Sequence, residues 1–185
     1  YIVSSFIARD IRTLKQFLSR NKKKVSCLVP TMGCLHDGHL HLVDQAKLSS
    51  QFVIVSIFLN PVQFDSQSDL SNYPKTENED LKALKDKKVD CIFLPQVKEI
   101  YPDDFDTYVN VDKYKNILCG RNRKNHFKGV TTVVAKLFNI INPNLAIFGE
   151  KDYQQLLIIK KMTENLNFNI KIIAAKTVRD SKGLA

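Results

Sequence analysis

Residues 25–39 read VSCLVPTMGCLHDGH, and this stretch decides the fold. Its first five residues are mostly apolar and predict a buried strand. Gly33 and Gly38 indicate a sharp turn in which the backbone comes close to a ligand. A helix is predicted to begin near Gly38, so that its free N–H groups and the positive end of its dipole face the same cleft. A strand, a glycine-containing turn and a helix in this order predict an α/β domain that binds phosphate groups.

Two histidines, His36 and His39, lie three residues apart and therefore on one side of the first helical turn. Imidazole N–H groups beside a helix N-terminus can donate to phosphate oxygens and stabilise the charge that grows on them during phosphoryl or adenylyl transfer. A metal site is a rival interpretation, but only Asp37 adds a further ligand, and the glycines would be unexplained. Two surface histidines in a loop are a second alternative.

Apolar segments that predict strands alternate along the chain with stretches of helical period. The strand segments are residues 25–29, 52–59, 89–94, 145–148 and 170–174. An apolar stripe that predicts a helix before the first strand consists of Ile7, Ile11, Leu14, Phe17 and Leu18. Further helices are predicted at residues 40–48, 77–88, 130–141 and 152–165. The alternation favours a Rossmann-like α/β fold, a parallel sheet with helices on both faces.

Side chains suited to small ligands follow the second and fourth of these strands. Asn60 and Gln63 come just past the second strand, at the edge where ligands bind in open α/β sheets. Their neutral amides can hydrogen-bond the oxygens of a small hydroxy acid, although Asn60 can instead stabilise a turn before Pro61. After the fourth strand, Lys151 offers a mobile charge for phosphates, and Asp152 either caps the next helix or holds a ribose.

Composition and charge argue against several classes of protein. The chain has 44% hydrophobic and 25% charged residues, with no apolar run near the roughly 20 residues that cross a bilayer, so no membrane association is expected. The net charge of +9 comes from lysines spread along the chain, without a basic stripe interleaved with aromatics, so nucleic acid is not an expected partner. Cys27, Cys34, Cys91 and Cys119 form no CxxC pair, and the first three predict buried thiols of a reducing, cytoplasmic environment.

Four ordered motifs resemble those of the pantothenate synthetase (pantoate–β-alanine ligase) family. The first, PTMGCLHDGHL at residues 30–40, contains the His-x-Gly-His signature of the nucleotidylyltransferase superfamily. The others are SIFLNPVQF at 56–64, HFKGVTTVV at 126–134 and FGEKDYQQL at 148–156, and residues 178–180 and 183–185 also match. The resemblance covers nearly the whole chain, and it implies a Rossmann-like fold of the nucleotidylyltransferase superfamily type.

The resemblance implies ATP-dependent condensation of pantoate with β-alanine, through a pantoyl adenylate, to give pantothenate, AMP and pyrophosphate. It assigns charge stabilisation to His36, His39 and Lys151. The residues expected to hold the small substrates are Thr31, Asn60, Gln63 and Gln155. The residues expected to bind ATP are Met32, Gly33, Cys34, Leu35, His36, Asp37, Gly38, His39, Gly149, Glu150, Lys151, Asp152 and Val178. It also implies a homodimer.

The resemblance further implies that Asp80 lies near a Mg²⁺ ion, since Mg²⁺ commonly binds one or two carboxylates together with phosphates. The acidic pair Glu79 and Asp80 also suits the start of a surface helix, where carboxylates interact favourably with the dipole. Both interpretations stay open on the sequence.

Two features depart from the family pattern. The family carries Arg-Pro-Gly before the third motif, where this chain has Arg123, Lys124 and Asn125, so a different turn is expected there. Beyond the position of Ala185 the family has a Ser-Ser-Arg loop and a smaller covering domain. We therefore expect residues 1–185 to form one nucleotide- and pantoate-binding domain in which the β- and γ-phosphates stay in water.

Two other functions remain as alternatives. A different nucleotidylyltransferase, acting on phosphopantetheine or a cytidylyl acceptor, would share the first motif, but Asn60, Gln63 and Gln155 argue against it. A basic RNA-binding module on a synthetase-like fold is the second alternative. It would bind RNA tightly and in a salt-sensitive way, without exchanging pyrophosphate into ATP.

Overall fold

A parallel sheet of six strands forms the centre of the molecule. The computed structural model describes residues 5–114 and 125–185. The strands are β1 (Phe6–Ala8), β2 (Ser26–Thr31), β3 (Phe52–Ile57), β4 (Cys91–Phe93), β5 (Leu145–Gly149) and β6 (Lys171–Ala175). Their spatial order is β1-β4-β3-β2-β5-β6. The sequence prediction of a parallel sheet is confirmed.

Helices connect these strands. They are α1 (Ile11–Ser19), α2 (Asp37–Ser49), α3 (Gln67–Ser71), α4 (Glu77–Asp86), α5 (Val97–Ile100), α6 (His126–Ile141) and α7 (Tyr153–Asn165). Short 3₁₀ turns lie at Pro61–Gln63, Asp112–Tyr114 and Glu150–Asp152. Within the described ranges, no helix is long and apolar enough to cross a membrane.

Alternate side chains of each strand point to opposite faces of the sheet and bury two apolar layers. Leu28 and Ile54 lie in the layer that α1, α6 and α7 cover. Val29 and Val55 lie in the layer that α2 and α4 cover. Because both faces are buried, the strands read as continuous apolar runs. The predicted placement of helices on both faces is confirmed.

The sequence did not predict the edge strand β1, because the apolar stripe that starts at Ile7 was assigned to a helix. Ile7 was assigned to the first helix, but it lies in β1 and pairs with Ile92 of β4. The helix begins only at Ile11, because Asp10 caps it by accepting a hydrogen bond from the Thr13 amide at 2.7 Å. Three strand residues are too few to show a period of two.

The thiols of Cys27 and Cys91 are buried, as predicted, and their burial raises the pKa of each to about 12. Such thiols stay protonated and are poor nucleophiles. Cys34 is only half-buried, so its predicted burial is wrong in degree. Cys119, Arg123 and Lys124 lie outside the described residues.

Candidate active site

The turns after β2 and β5 meet at the carboxyl edge of the sheet. β3 and β4 lie to one side of β2, whereas β5 and β6 lie to its other side. In an open α/β sheet, this reversal of strand order leaves a crevice outside the carboxyl ends of the strands on either side of it, here β2 and β5. The stretches that the sequence singled out, 30–40 and 148–156, therefore flank one cleft.

The turn after β2 is held by a carboxylate from a distant helix. Gly33 and Cys34 adopt positive φ angles of 84° and 53°. The two oxygens of Asp80, in α4, accept hydrogen bonds from the amides of Cys34 at 2.9 Å and Leu35 at 2.8 Å. The Thr76 hydroxyl donates to the same carboxylate at 3.1 Å. Asp80 is 3% exposed, so this anchor is shielded from water and fixes the start of α2.

The two histidines brace one another at the N-terminus of α2. Nδ1 of His36 accepts a hydrogen bond from the Gly38 amide at 3.1 Å, and Nδ1 of His39 accepts one from the His36 amide at 3.3 Å. A ring whose Nδ1 accepts carries its proton on Nε2 in the neutral form, so both rings keep an Nε2–H donor. The Gly38 amide, one of the N–H groups at the predicted helix start, donates to His36. A Cβ at Gly38 would lie 2.8 Å from Cε1 of His36, so a larger residue here would require the His36 ring to shift.

His39 is neutral over the physiological pH range. Burial, followed by the nearby His36 ring, lowers the pKa of His39 to about 4. The carboxylates of Asp80 and Asp152 oppose this shift, and the ammonium group of Lys151 adds to it. A neutral imidazole offers a hydrogen-bond donor without a full charge that must be desolvated.

The larger cavity of the cleft has a volume of about 540 Å³. The predicted ATP-binding residues that line it are His36, Asp37, Gly38, His39, Gly149, Lys151, Asp152 and Val178. The predicted ATP-binding residues outside its described lining are Met32, Gly33, Cys34, Leu35 and Glu150. Of these five, Gly33, Cys34 and Leu35 belong to the turn that Asp80 holds.

A smaller cavity of about 160 Å³ adjoins the first. Its polar lining includes all four predicted small-substrate residues, Thr31, Asn60, Gln63 and Gln155, and Met32 lies beside them. Its remaining wall is largely apolar and comes from Phe58, Phe148 and the α6 residues Val130, Val133, Val134 and Leu137. The direct contact of the four polar residues with a substrate stays a prediction.

The two cavities share part of their lining. The residues common to both are Pro30, His39, Phe148, Asp152 and Gln155. A small acid in the smaller cavity and a phosphate in the larger one would therefore meet beside His39. Asp152, for which helix capping was an alternative, makes no side-chain capping bond to the first turn of α7 and lines this border. Lys151 is exposed in the same turn, and it forms no ion pair within the described ranges.

Asp80, which the family resemblance places near a Mg²⁺ ion, holds the turn after β2, and its proximity to a metal stays a prediction. Its carboxylate oxygens already accept three hydrogen bonds from Cys34, Leu35 and Thr76. Its neighbour Glu79 is exposed to solvent. Among residues 5–114 and 125–185, no group of three or more His, Cys, Asp or Glu side chains could hold a metal ion. The structure shows the Asp80 carboxylate holding the turn after β2.

Sequence reasoning missed several residues at or behind the site, among them Lys176 and Tyr101. Lys176 lines the larger cavity and follows β6 directly, a position at the carboxyl edge that could have been noticed. The hydroxyl of Tyr101 donates to Oδ1 of Asn60 at 2.8 Å across 41 positions of sequence, and no local signal announces this contact.

The sequence and fold of this chain are similar to those of named proteins. Residues 6–185 match the family model Pantoate-beta-alanine ligase. A pantothenate synthetase from Thermoanaerobacter sp. is 53% identical over 176 residues, which are 95% of this chain and 62% of that relative. The crystal structure of pantothenate synthetase from Thermus thermophilus is 41% identical with a TM-score of 0.93, covering 97% of this chain and 64% of that one.

Another similar solved structure contains ligands. The crystal structure of pantoate-beta-alanine ligase from Francisella tularensis, complexed with beta-gamma ATP and beta-alanine, has a TM-score of 0.93 and 40% identity. The match covers 98% of this chain and 70% of that chain. This chain spans a little under two thirds of the length of the curated relatives that it matches.

Proposed function

This chain belongs to the pantoate–β-alanine ligase family, and on that premise we propose that its cleft condenses pantoate with β-alanine, using ATP. The observation that carries the proposal is the pair of adjoining cavities with His39 at their border. The larger cavity has the charge and the helix N-terminus that suit a nucleotide's phosphates. The smaller one combines amides with an apolar wall, which suits a branched hydroxy acid such as pantoate.

The first step is adenylation. A carboxylate oxygen of pantoate attacks the α-phosphorus of ATP, and the bond from that phosphorus to the bridging oxygen breaks, so that pyrophosphate leaves with the electron pair. Negative charge grows on the oxygens around the phosphorus. The Nε2–H groups of His36 and His39 and the ammonium of Lys151 stabilise this charge, because they are held near the phosphate before reaction begins.

The second step is aminolysis of the pantoyl adenylate. The amine of β-alanine attacks the acyl carbon, the C–N bond forms, the bond to the AMP oxygen breaks, and the amine loses a proton to water or to phosphate. No covalent bond to the protein is needed. Gln63 and Gln155 hold the acyl group in place, and the apolar wall of α6 limits hydrolysis of the intermediate.

The proposal also includes a Mg²⁺ ion and a homodimer. Mg²⁺ would arrive with ATP, bound to its phosphates, and would withdraw charge from them. No step here depends on a protein carboxylate as its ligand. A homodimer, which the family resemblance implies, can be tested by light scattering.

Pantoate-dependent exchange of labelled pyrophosphate into ATP tests the function. We expect exchange with pantoate and none with the acceptors of other nucleotidylyltransferases. The Lys151→Ala variant should exchange much more slowly, because one charge at the phosphates is lost. Exchange that ignores pantoate, or salt-sensitive RNA binding without any exchange, would contradict the proposal.

A further inference from the structure

A buried hydrogen-bonded chain runs behind the smaller cavity. Tyr101 donates from its hydroxyl to Oδ1 of Asn60 at 2.8 Å, and Nδ2 of Asn60 donates to Oε1 of Gln63 at 2.9 Å. Asn60 is 1% exposed and Tyr101 is 9% exposed. Burial raises the pKa of the Tyr101 phenol, so that this hydroxyl keeps the proton it donates.

Two backbone groups fix the orientation of the Asn60 amide. The Val62 amide donates to Oδ1 at 3.3 Å, and the Gly129 carbonyl accepts from Nδ2 at 3.0 Å. Turning the Asn60 amide over would set its NH₂ group against the N–H of Val62 and its oxygen against the carbonyl of Gly129. Each of these pairings is repulsive in a buried site. Oδ1 therefore accepts, and the Tyr101 hydroxyl can only donate to it.

The orientation passes from Asn60 to Gln63. Because Nδ2 of Asn60 donates, the atom of Gln63 that faces it must be the acceptor Oε1. The other end of the Gln63 amide, Nε2, makes no hydrogen bond within the described parts of the chain. Its N–H groups are thus left for a ligand of the smaller cavity that Gln63 lines.

The backbone under Gln63 is fixed as well. The carbonyl of Gln63 faces Nδ1 of His126 at 3.1 Å. A Cβ at Gly129 would lie 2.6 Å from both Cα and N of Gln63, so α6 packs directly on this backbone. The main chain of Gln63 is therefore held by His126 and Gly129, and its side chain is held by Asn60.

We infer that Asn60 and Tyr101 are positioning residues that hold the Gln63 amide with its NH₂ group towards the acid. This inference rests on the proposed function. In this arrangement Asn60 contributes to acid recognition indirectly, through Gln63. The site then favours a ligand whose oxygen accepts a hydrogen bond from the Gln63 NH₂ group. A ligand that presents a donor at this point would face the N–H groups of Gln63 and would be rejected.

The test compares Tyr101→Phe with Tyr108→Phe, using calorimetry with pantoate and separately with ATP. Tyr108 belongs to the same aromatic cluster, packing on Phe105 at 5.3 Å, but it is 43% exposed. We expect Tyr101→Phe to raise the Kd for pantoate about three- to tenfold, the effect of losing one hydrogen bond, and to leave the Kd for ATP unchanged. Tyr108→Phe should change neither.

A second variant, Asn60→Asp, replaces the NH₂ group that faces Oε1 by an oxygen. The Gln63 amide should then turn over and present its oxygen to the acid, so we expect a larger loss of pantoate affinity than for Tyr101→Phe. In a Gln63→Ala background, Tyr101→Phe should cause no additional loss, because its effect passes through Gln63. An equal loss in both backgrounds would overturn the inference, as would unchanged pantoate affinity in Tyr101→Phe.

A ligand-free measurement separates this inference from the proposed function. The side-chain amide protons of Asn60 should exchange slowly with water in NMR spectra, and Tyr101→Phe should speed their exchange. Rapid exchange in the unmodified protein would overturn the chain of hydrogen bonds itself. Absence of any pantoate binding by the unmodified protein, with slow amide exchange retained, would instead overturn the proposed substrate.

Discussion

Replacing His39 by Asn and by Ala separates two roles of one imidazole. Nδ1 of His39 accepts the His36 amide at 3.3 Å, and the ring lines both cavities with Nε2–H as its donor. An Asn side chain places Oδ1 close to the position of Nδ1, so it keeps the acceptor but lacks the donor. Ala lacks both.

The size of each effect follows from these contacts. Loss of one donor aimed at developing charge costs about 10²–10³ in rate, so both variants should lose that factor in pantoate-dependent pyrophosphate exchange. Loss of a helix-capping acceptor costs about 0.5–2 kcal/mol, and at 3.3 Å this bond is long. We therefore expect His39→Ala to lose about 0.5–1 kcal/mol in urea unfolding, and His39→Asn to lose less.

The lowered pKa of His39 gives a second readout. The pKa is about 4 in the folded protein against 6.5 for an ordinary histidine, so the unfolded chain binds more protons between these values. Stability contributed by His39 is thus present above pH 6.5 and declines as the pH falls towards 4. His39→Asn should flatten this part of the stability profile, measured by urea unfolding at several pH values.

The matched control is His41→Asn, two residues along the same helix and outside the described lining of both cavities. It should keep the full exchange rate. A His39→Asn variant with the unmodified exchange rate would refute the donor role. The pyrophosphate exchange rate can also be measured as a function of pH. A pH dependence centred near 6.5 that disappears in His39→Asn would refute the neutral state of His39.

Three further substitutions test other parts of the site. Gln63→Ala should weaken pantoate by more than tenfold and ATP far less in calorimetry, since its amide lines only the smaller cavity; equal losses would mean that the two cavities are wrongly assigned. Asp80→Asn should lower the free energy of unfolding by about 1.5–3 kcal/mol, because one of the two amides of the turn would face a donor; unchanged urea unfolding would contradict the anchoring role. Gly129→Ala should cost about 1–3 kcal/mol in thermal unfolding and also weaken pantoate, because its Cβ would press on the Gln63 backbone; a stability gain, as expected for Ala in a free helix, would contradict the close packing.

Much of the site could be predicted from the sequence because its parts are local. The turn after β2 and the turn after β5 each carry their glycine, charge and helix start within about ten residues. The order of strands that brings these turns together is also restricted, since parallel strands with helical crossovers allow few arrangements. The sequence therefore predicts His36, His39, Lys151 and Gln155 as site residues, and the structure places all four in the lining of one cavity.

Other features depended on which elements meet in space. Three apolar residues, Phe6–Ala8, form a strand only because β4 lies beside them and takes up their hydrogen bonds. The sequence places Asp80 at a helix start, whereas only the packing of α4 brings its carboxylate onto two amides 45 and 46 positions away.

What the sequence by itself determined is the alternation of strands and helices and the chemical identity of the turn residues, because periodicity and backbone preference act over a few positions. Only the tertiary structure decided how those residues behave. The pKa of His39 falls because neighbouring elements exclude water from its ring. The Gln63 amide has a defined direction because Asn60 donates to its oxygen, and Gly129 and Tyr101 fix the Asn60 amide in turn. Desolvation and buried hydrogen bonds depend on distance in space, which the chain fixes only when it has folded.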